Sequence, residues 1–190
     1  MTPIDCLPPI HLRTDRLLLR PANRSDASSL LDYYLTNRDH LQPWQPLRKE
    51  MFYTLPVQTR RLATMEQQML SVLALHLLIC CPTTDKLLGE CSFTNMIRGP
   101  FQACHLGFSI AAESQGQGLM HEGLSAAIGL VFDTYGLHRI MASYCHDNVR
   151  SARLLHRLGF DTEGTARSYL KINGVWRDHV LTAMIDKRWD

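Results

Sequence analysis

The stretch SQGQGLMHEG, residues 114–123, governs how the rest of this 190-residue chain is read. Gly116 and Gly118 stand where an amphipathic helix is about to begin, although glycine is among the poorest helix formers. Behind them Leu124, Ala127, Ile128, Val131, Phe132 and Tyr135 recur at the spacing of one buried helical face, and Gly136 ends the run. Ahead of them ACHLGFSIA, residues 103–111, reads as a strand. A strand, a glycine turn and a helix N-terminus together aim several backbone N–H groups in one direction, which makes an anion site. Glycine lets the main chain approach a phosphate closely. The stretch is not a dinucleotide fingerprint, because the third glycine of G-x-G-x-x-G is missing and the strands before it form a meander. It also lacks the Gly-Lys-Ser/Thr of a nucleoside-triphosphate loop. A plain connecting loop is the alternative that the stretch by itself leaves open.

Outward from this point the chain divides into alternating elements. HLRTDRLLLRP, residues 11–21, reads as a first strand, and RSDASSLLDYYLTN starts a helix with Ser25 as N-cap and Asp26 in its first turn. Residues 42–56 are rich in proline and aromatics (Pro43, Trp44, Pro46, Phe52, Tyr53, Pro56) and form a structured loop or lid. A helix over 57–69 follows, then three strand-like runs, VLALHLLICC, KLLGECSFTNM and ACHLGFSIA, joined by turns as an antiparallel meander. After the 119–135 helix come a strand HRIMASYC, a helix VRSARLLHRL capped by Asn148 and stopped by Gly159, and two strands around Asn173-Gly174, the best hairpin signal in the chain. The order predicts an α/β (α+β) fold: one mixed, mostly antiparallel sheet with helices on both faces, in a single domain over 1–190.

Composition narrows the class. Hydrophobic residues make up 45% and charged residues 20%, as in an ordinary globular chain, so disorder and fibrous classes drop out. A net charge of +2 neither marks nor excludes a nucleic-acid partner. Cys6, Cys80, Cys81, Cys91, Cys104 and Cys145 are scattered without metal-ligand spacing, and no secretory leader precedes them. Reduced thiols in a cytoplasmic protein without a metal are the reading that follows. The longest apolar run, residues 72–81, is too short to span a bilayer.

The motif QGQGLM resembles the acyl-CoA signature of the GNAT acetyltransferase superfamily, Q/R-x-x-G-x-G/A: Gln115 begins it, Gly118 holds the required glycine, and Met120 departs from the small-residue slot. NVRSARLLHRLGF is similar to the superfamily's N-x-x-S-x-x-L-x-x-x-L-G-F, with Asn148, Ser151, Leu155, Gly159 and Phe160 in register. Nearly the whole chain resembles the RimJ/RimL-type branch, which acetylates N-terminal amines of ribosomal proteins. LRTDRLLLR, LQPWQP, GLMHEGL and INGVWRDH carry that likeness, and FTNMIRGPFQACHLGFSI leans toward the alanine-acetylating members.

The resemblance implies a sheet splayed at an acyl-CoA site, with acetyl-CoA as cosubstrate and no metal. Phe108, Ser109 and Ile110 would pair with the pantetheine arm, which Asn148 would also contact. The main chain of Gln115, Gly116, Gln117, Gly118, Leu119 and Met120 would hold the pyrophosphate. The reaction is direct attack of a neutral amine on the thioester, and the reference pKa of an α-amine, about 7.7–8.0, leaves a usable neutral fraction. The tyrosine that many members use as acid is replaced by Leu155, so Ser151 becomes the candidate donor to the departing sulfur, its alternative role being a helix-turn serine. Glu163 is the first candidate for the base, ahead of His105, which neighbours Cys104, and of Glu90. Trp44, Tyr53, Tyr169 and Trp176 are candidates to grip an extended N-terminal tail, with Arg177 and Asp178 for its polar groups; ordinary packing is the alternative for each. The expected partner is a ribosomal protein tail, alanine first, with ribosome association and with no DNA or membrane role. A small-amine acetyltransferase (polyamine or aminoacyl antibiotic) and a non-catalytic ribosome-assembly factor remain the other readings. Arg150, Arg153 and Arg157 would touch RNA or form a solvated helix face.

Overall fold

The computed structural model describes residues 10–189. Eight strands form one sheet in the order β1-β2-β3-β4-β5-β6-β8-β7, comprising β1 (Leu12–Arg13), β2 (Leu18–Pro21), β3 (Leu75–Cys80), β4 (Leu87–Ile97), β5 (Ala103–Ile110), β6 (Arg139–Cys145), β7 (Asp161–Ile172) and β8 (Val175–Ile185). Every neighbouring pair is antiparallel except β5 with β6. The helices are α1 (Ala27–Thr36), α2 (Arg38–Leu41), α3 (Leu55–Leu70), α4 (Leu119–Tyr135) and α5 (Val149–Leu158). The mixed sheet with helices on both faces is the architecture the sequence predicts.

The alternation of side chains along the strands builds two cores. Leu77, Ile79, Cys91, Phe93, Leu106, Ile140 and Ala142 pack under α4 and α5, where Leu124, Ala127, Ile128, Val131 and Leu155 meet them. Leu78, Cys80 and Leu87 face the other way, against Leu30, Tyr33, Tyr34 and Leu62 of α1 and α3. Every residue of β3 is buried, which is why its sequence reads as a continuous apolar run rather than an alternation. Asn173 and Gly174 form the β7–β8 turn with φ of 44° and 82°, the left-handed pair that an Asn-Gly hairpin supplies. Cys80, Cys91, Cys104 and Cys145 are buried free thiols and Cys81 is half-buried and free; Cys6 lies outside the described residues. Among the described residues no helix is long and apolar enough to cross a membrane, and no cluster of three or more His, Cys, Asp or Glu could hold a metal.

Two local expectations are corrected. The run 11–21 is not one strand but a tight hairpin, because Thr14 closes a turn: its N–H donates to the Leu17 carbonyl at 2.9 Å and its Oγ1 accepts from the Leu17 N–H at 3.0 Å. Ser25 is not the N-cap. Asn23 is, with Oδ1 accepting from the Ser25 N–H at 2.9 Å while Asp26 accepts from the Asn23 N–H at 2.9 Å, a reciprocal capping box on a 3-10 turn that leads into α1.

Candidate active site

β5 and β6 pair in parallel from Ala103–Arg139 to Leu106–Ala142 and then separate. Beyond that point β5 continues to Ile110 with only β4 as partner, and β6 continues to Cys145 with only β8. The sheet therefore carries a wedge-shaped gap whose edges are backbone. Buried Asn37 fixes the end of β5, its Nδ2 donating to the Tyr33 carbonyl and its Oδ1 accepting from the Ala112 N–H, both at 2.9 Å. His40 of α2 stands beside it, with Nε2 3.2 Å from the Ile110 carbonyl and 3.1 Å from Gln115 Nε2. Gln115 Oε1 in turn accepts from Arg150. A chain of side chains thus links α2, the glycine loop and α5 across the gap.

The glycine loop closes the gap at one end. Gly116 and Gly118 have φ of 73° and 77°, left-handed values that cost a residue bearing a Cβ about 1–2 kcal/mol. A Cβ at Gly116 would meet nothing within 4 Å, so it is the backbone conformation and not a neighbouring protein atom that calls for glycine there. Among the described residues none of the amides from Gly116 to His121 donates to a protein acceptor; the first to do so is Glu122, whose N–H reaches the Gly118 carbonyl at 3.1 Å. Six successive donors are left for a ligand. Met120, which breaks the small-residue pattern of the motif, places its side chain in the core at 7% exposure, so the amide stays available.

What holds this loop comes from the far N-terminal hairpin, and sequence reasoning did not find it. Glu122, in the first turn of α4, accepts from Thr14 Oγ1 at 2.6 Å, the Arg16 N–H at 3.0 Å and Arg16 Nε at 2.7 Å. These contacts, the Thr14 hydrogen bond foremost, hold its carboxyl below the ordinary glutamate pKa. Arg16 Nη1 also donates to the Gln117 carbonyl at 2.9 Å, fixing the orientation of that peptide unit. The only hint in the sequence is that T-x-R and H-E lie in stretches that carry the family likeness, more than a hundred residues apart.

A cavity of about 580 Å³ occupies the gap. Phe108, Ser109, Ile110, Gln115, Gly116, Gly118, Leu119, Met120, Asn148 and Ser151 all line it, whereas the Gln117 side chain turns back to the Glu113 carbonyl; of the main-chain donors expected from Gln115 to Met120, the Gln115 N–H is corrected, since it donates to the Ala112 carbonyl at 3.3 Å. Asn148 Oδ1 caps α5 by accepting from the Ser151 N–H at 3.1 Å, which leaves the amide NH₂ for a ligand. The Ser151 hydroxyl has no protein partner among the described residues. Arg150, Arg153 and Arg157 are exposed and line the same cavity, so this solvated face of α5 borders the site. Trp44 lines it too, as do His40 and His121.

Other candidates lie elsewhere. Glu163 is outside the cavity and pairs with Arg139 at the start of β6, toward the opposite end of the sheet from Asn148; as the base it is corrected by that placement. His105 lies five residues before Ile110 on β5, with burial lowering its pKa and its Nδ1 unpartnered, and it does not reach the cavity. Glu90, the cross-strand partner of Ser109, accepts a hydrogen bond from buried Tyr34 and is not part of the cavity lining. Arg177 pairs with Asp147 at 2.8 Å, Asp178 accepts from the Ser168 N–H at 2.7 Å, and Tyr169 and Trp176 are exposed on the hairpin beyond the cavity wall. The hairpin tip nevertheless meets the lid: the Asn173 N–H donates to the Gln45 carbonyl at 2.8 Å and Gln42 donates to Asn173 Oδ1 at 3.2 Å.

Comparison with known proteins agrees with this geometry. Residues 16–161 match the family described as an acetyltransferase (GNAT) domain. The chain is 43% identical to the ribosomal protein uS5-alanine N-acetyltransferase of Escherichia coli over 183 residues, 96% of this chain and 94% of that protein. The crystal structure of ribosomal-protein-S5-alanine acetyltransferase from Vibrio fischeri superposes with a TM-score of 0.91 at 36% identity, covering 95% of this chain and 99% of that one. Mycobacterium smegmatis RimJ in complex with CoA-disulfide shares the fold, with a TM-score of 0.85 at 24% identity over 90% of this chain and 83% of its own.

Proposed function

Because the chain belongs to the GNAT acetyltransferase family and is an acetyl-CoA-dependent N-acetyltransferase, we propose that its acceptor is the N-terminal alanine amine of a ribosomal protein, uS5 being the first choice. The identity to the Escherichia coli enzyme, which extends over almost the full length of both chains, carries the choice of acceptor. The polarity of the site supports it. A polyamine pocket needs free carboxylates, whereas Asp147 is already paired with Arg177 and the remaining charged lining is cationic.

The free amides from Gly116 to His121 hold the pyrophosphate, at the positive end of the α4 dipole. Arg150, Arg153 and Arg157 add the charge that the nucleotide's phosphates need. The exposed edge of Phe108 to Ile110 and the Asn148 amide take the pantetheine arm. The neutral α-amine attacks the thioester carbonyl, a C–N bond forms, the C–S bond breaks, and the amine proton passes to water. With Glu163, His105 and Glu90 all away from the cavity, the amine's own pKa of about 7.7–8.0 makes a strong base unnecessary. The Ser151 hydroxyl donates to the departing thiolate.

The test is transfer of label from acetyl-CoA to peptides with N-terminal alanine, serine or methionine and to spermidine. Labelling of the alanine peptide in preference to the others supports the reading. Labelling of spermidine alone, or of nothing, overturns it.

A further inference from the structure

A second cavity of about 200 Å³ lies beside the first, between α1, α2 and the lid, and shares Leu41 and Gln45 with it as a common wall. Arg48 lines it, half-buried, with its guanidinium over the Phe52 ring at 4.5 Å from the centroid. The Nε of Arg48 is buried without a hydrogen-bond partner among the described residues. The nearby carboxylates are already engaged, Glu50 by Arg38 and Glu90 by the Tyr34 hydroxyl. Arg61 also stands over the Phe52 ring and over that of Tyr34, 4.8 and 5.2 Å from their centroids, and adds positive charge. Burial is the main influence pulling the Arg48 pKa below the ordinary guanidinium value; Arg61 acts the same way, while Tyr34, Glu90 and Tyr53 partly oppose it. An unpaired cation in a partly dry recess is costly, and an entering carboxylate would relieve that cost while making two parallel hydrogen bonds.

We propose that this recess is a subsite for an acidic side chain of the acceptor, an aspartate or glutamate a few residues after the reacting alanine, with Arg48 as its partner. The inference rests on the peptide-acceptor reading above. A basic side chain would be repelled by Arg48 and Arg61, Arg38 being neutralised by Glu50, and an apolar one would leave the guanidinium unpaired. The shared wall of Leu41 and Gln45 places the recess within reach of a chain whose first residue sits at the thioester end of the larger cavity.

The experiment uses alanine-first peptides carrying glutamate or glutamine at each of positions two to five, with kcat and KM measured for the parent, Arg48→Gln and Arg48→Lys. At one position the parent should prefer glutamate by about tenfold or more in kcat/KM, chiefly through KM. Arg48→Gln should reduce that ratio to about one, and Arg48→Lys should retain part of it, since lysine keeps the charge and loses the planar fork. Bound CoA, measured on each variant, establishes that it is folded. Equal rates for glutamate and glutamine at every position in the parent overturn the subsite and leave the alanine reading standing. A preference that survives Arg48→Gln overturns the role of Arg48. Failure to acetylate any peptide overturns both readings.

Discussion

Ser151 carries two jobs on separate atoms: its N–H donates to the capping Oδ1 of Asn148 while its hydroxyl is left to the cavity. Ser151→Ala should therefore keep the helix and CoA affinity but lose kcat by about ten- to a hundredfold, the worth of one hydrogen bond to a developing charge. Equal kcat in single-turnover assays would remove the hydroxyl from the reaction. Buried His76 offers a different check. Burial lowers its pKa to about 4, and neutral imidazole bonds Gln68 Oε1 at 2.8 Å. The unfolded chain, with a histidine pKa near 6.5, binds the proton more tightly than the folded one. Stability from this residue is thus whole above pH 6.5 and is lost as the pH falls toward 4, by up to about 3 kcal/mol. Urea midpoints between pH 7 and 4.5 should fall less steeply for His76→Gln than for the parent. At this scale the sequence was readable where a residue acts on its own neighbours, as Asn148 does on Ser151. It misled where the position along a strand decides, because Glu163 sits in a matching motif yet stands toward the wrong end of its sheet.

The glycine loop and α4 were legible as one element from the two glycines and the helical stripe behind them; the left-handed φ values, and a run of free amides from Gly116 to His121 rather than from Gln115 to Met120, became visible only in the fold. Their anchor was not legible. Thr14 and Arg16 look like part of a strand until the turn folds them onto Glu122, and no local pattern announces a contact between residues so distant in the chain. Two substitutions separate the functions of this anchor. Arg16→Ala removes both the Glu122 pair and the Gln117 carbonyl clamp, while Glu122→Gln keeps the clamp and weakens only the charge pairing. Arg16→Ala should raise the CoA dissociation constant by about tenfold, and Glu122→Gln should raise it less. Calorimetric titration with CoA measures both; equal, parent-like affinities would show that the loop holds its shape without the hairpin.

Over the whole molecule, the alternating pattern of strands and helices was enough to give the sheet and its two covered faces, since each follows from period and turn chemistry. Strand order was another matter: that β8 lies between β6 and β7, and that β5 leaves β6 after four paired residues, depends on contacts between segments far apart in sequence. The parting of β5 from β6 has a consequence for handling as well as for catalysis. Two strand margins with unspent donors and acceptors face each other across an opening, and such margins invite pairing with a neighbouring chain. Saturating CoA at a hundred times its dissociation constant should stabilise the fold by about 2.7 kcal/mol, seen as a higher melting temperature, and should delay light scattering on heating. Equal scattering with and without nucleotide would show the margins to be harmless. A delay is the outcome expected if the acyl donor covers those margins as a removable ninth strand would, and it would tie the enzyme's lifetime to the supply of that donor.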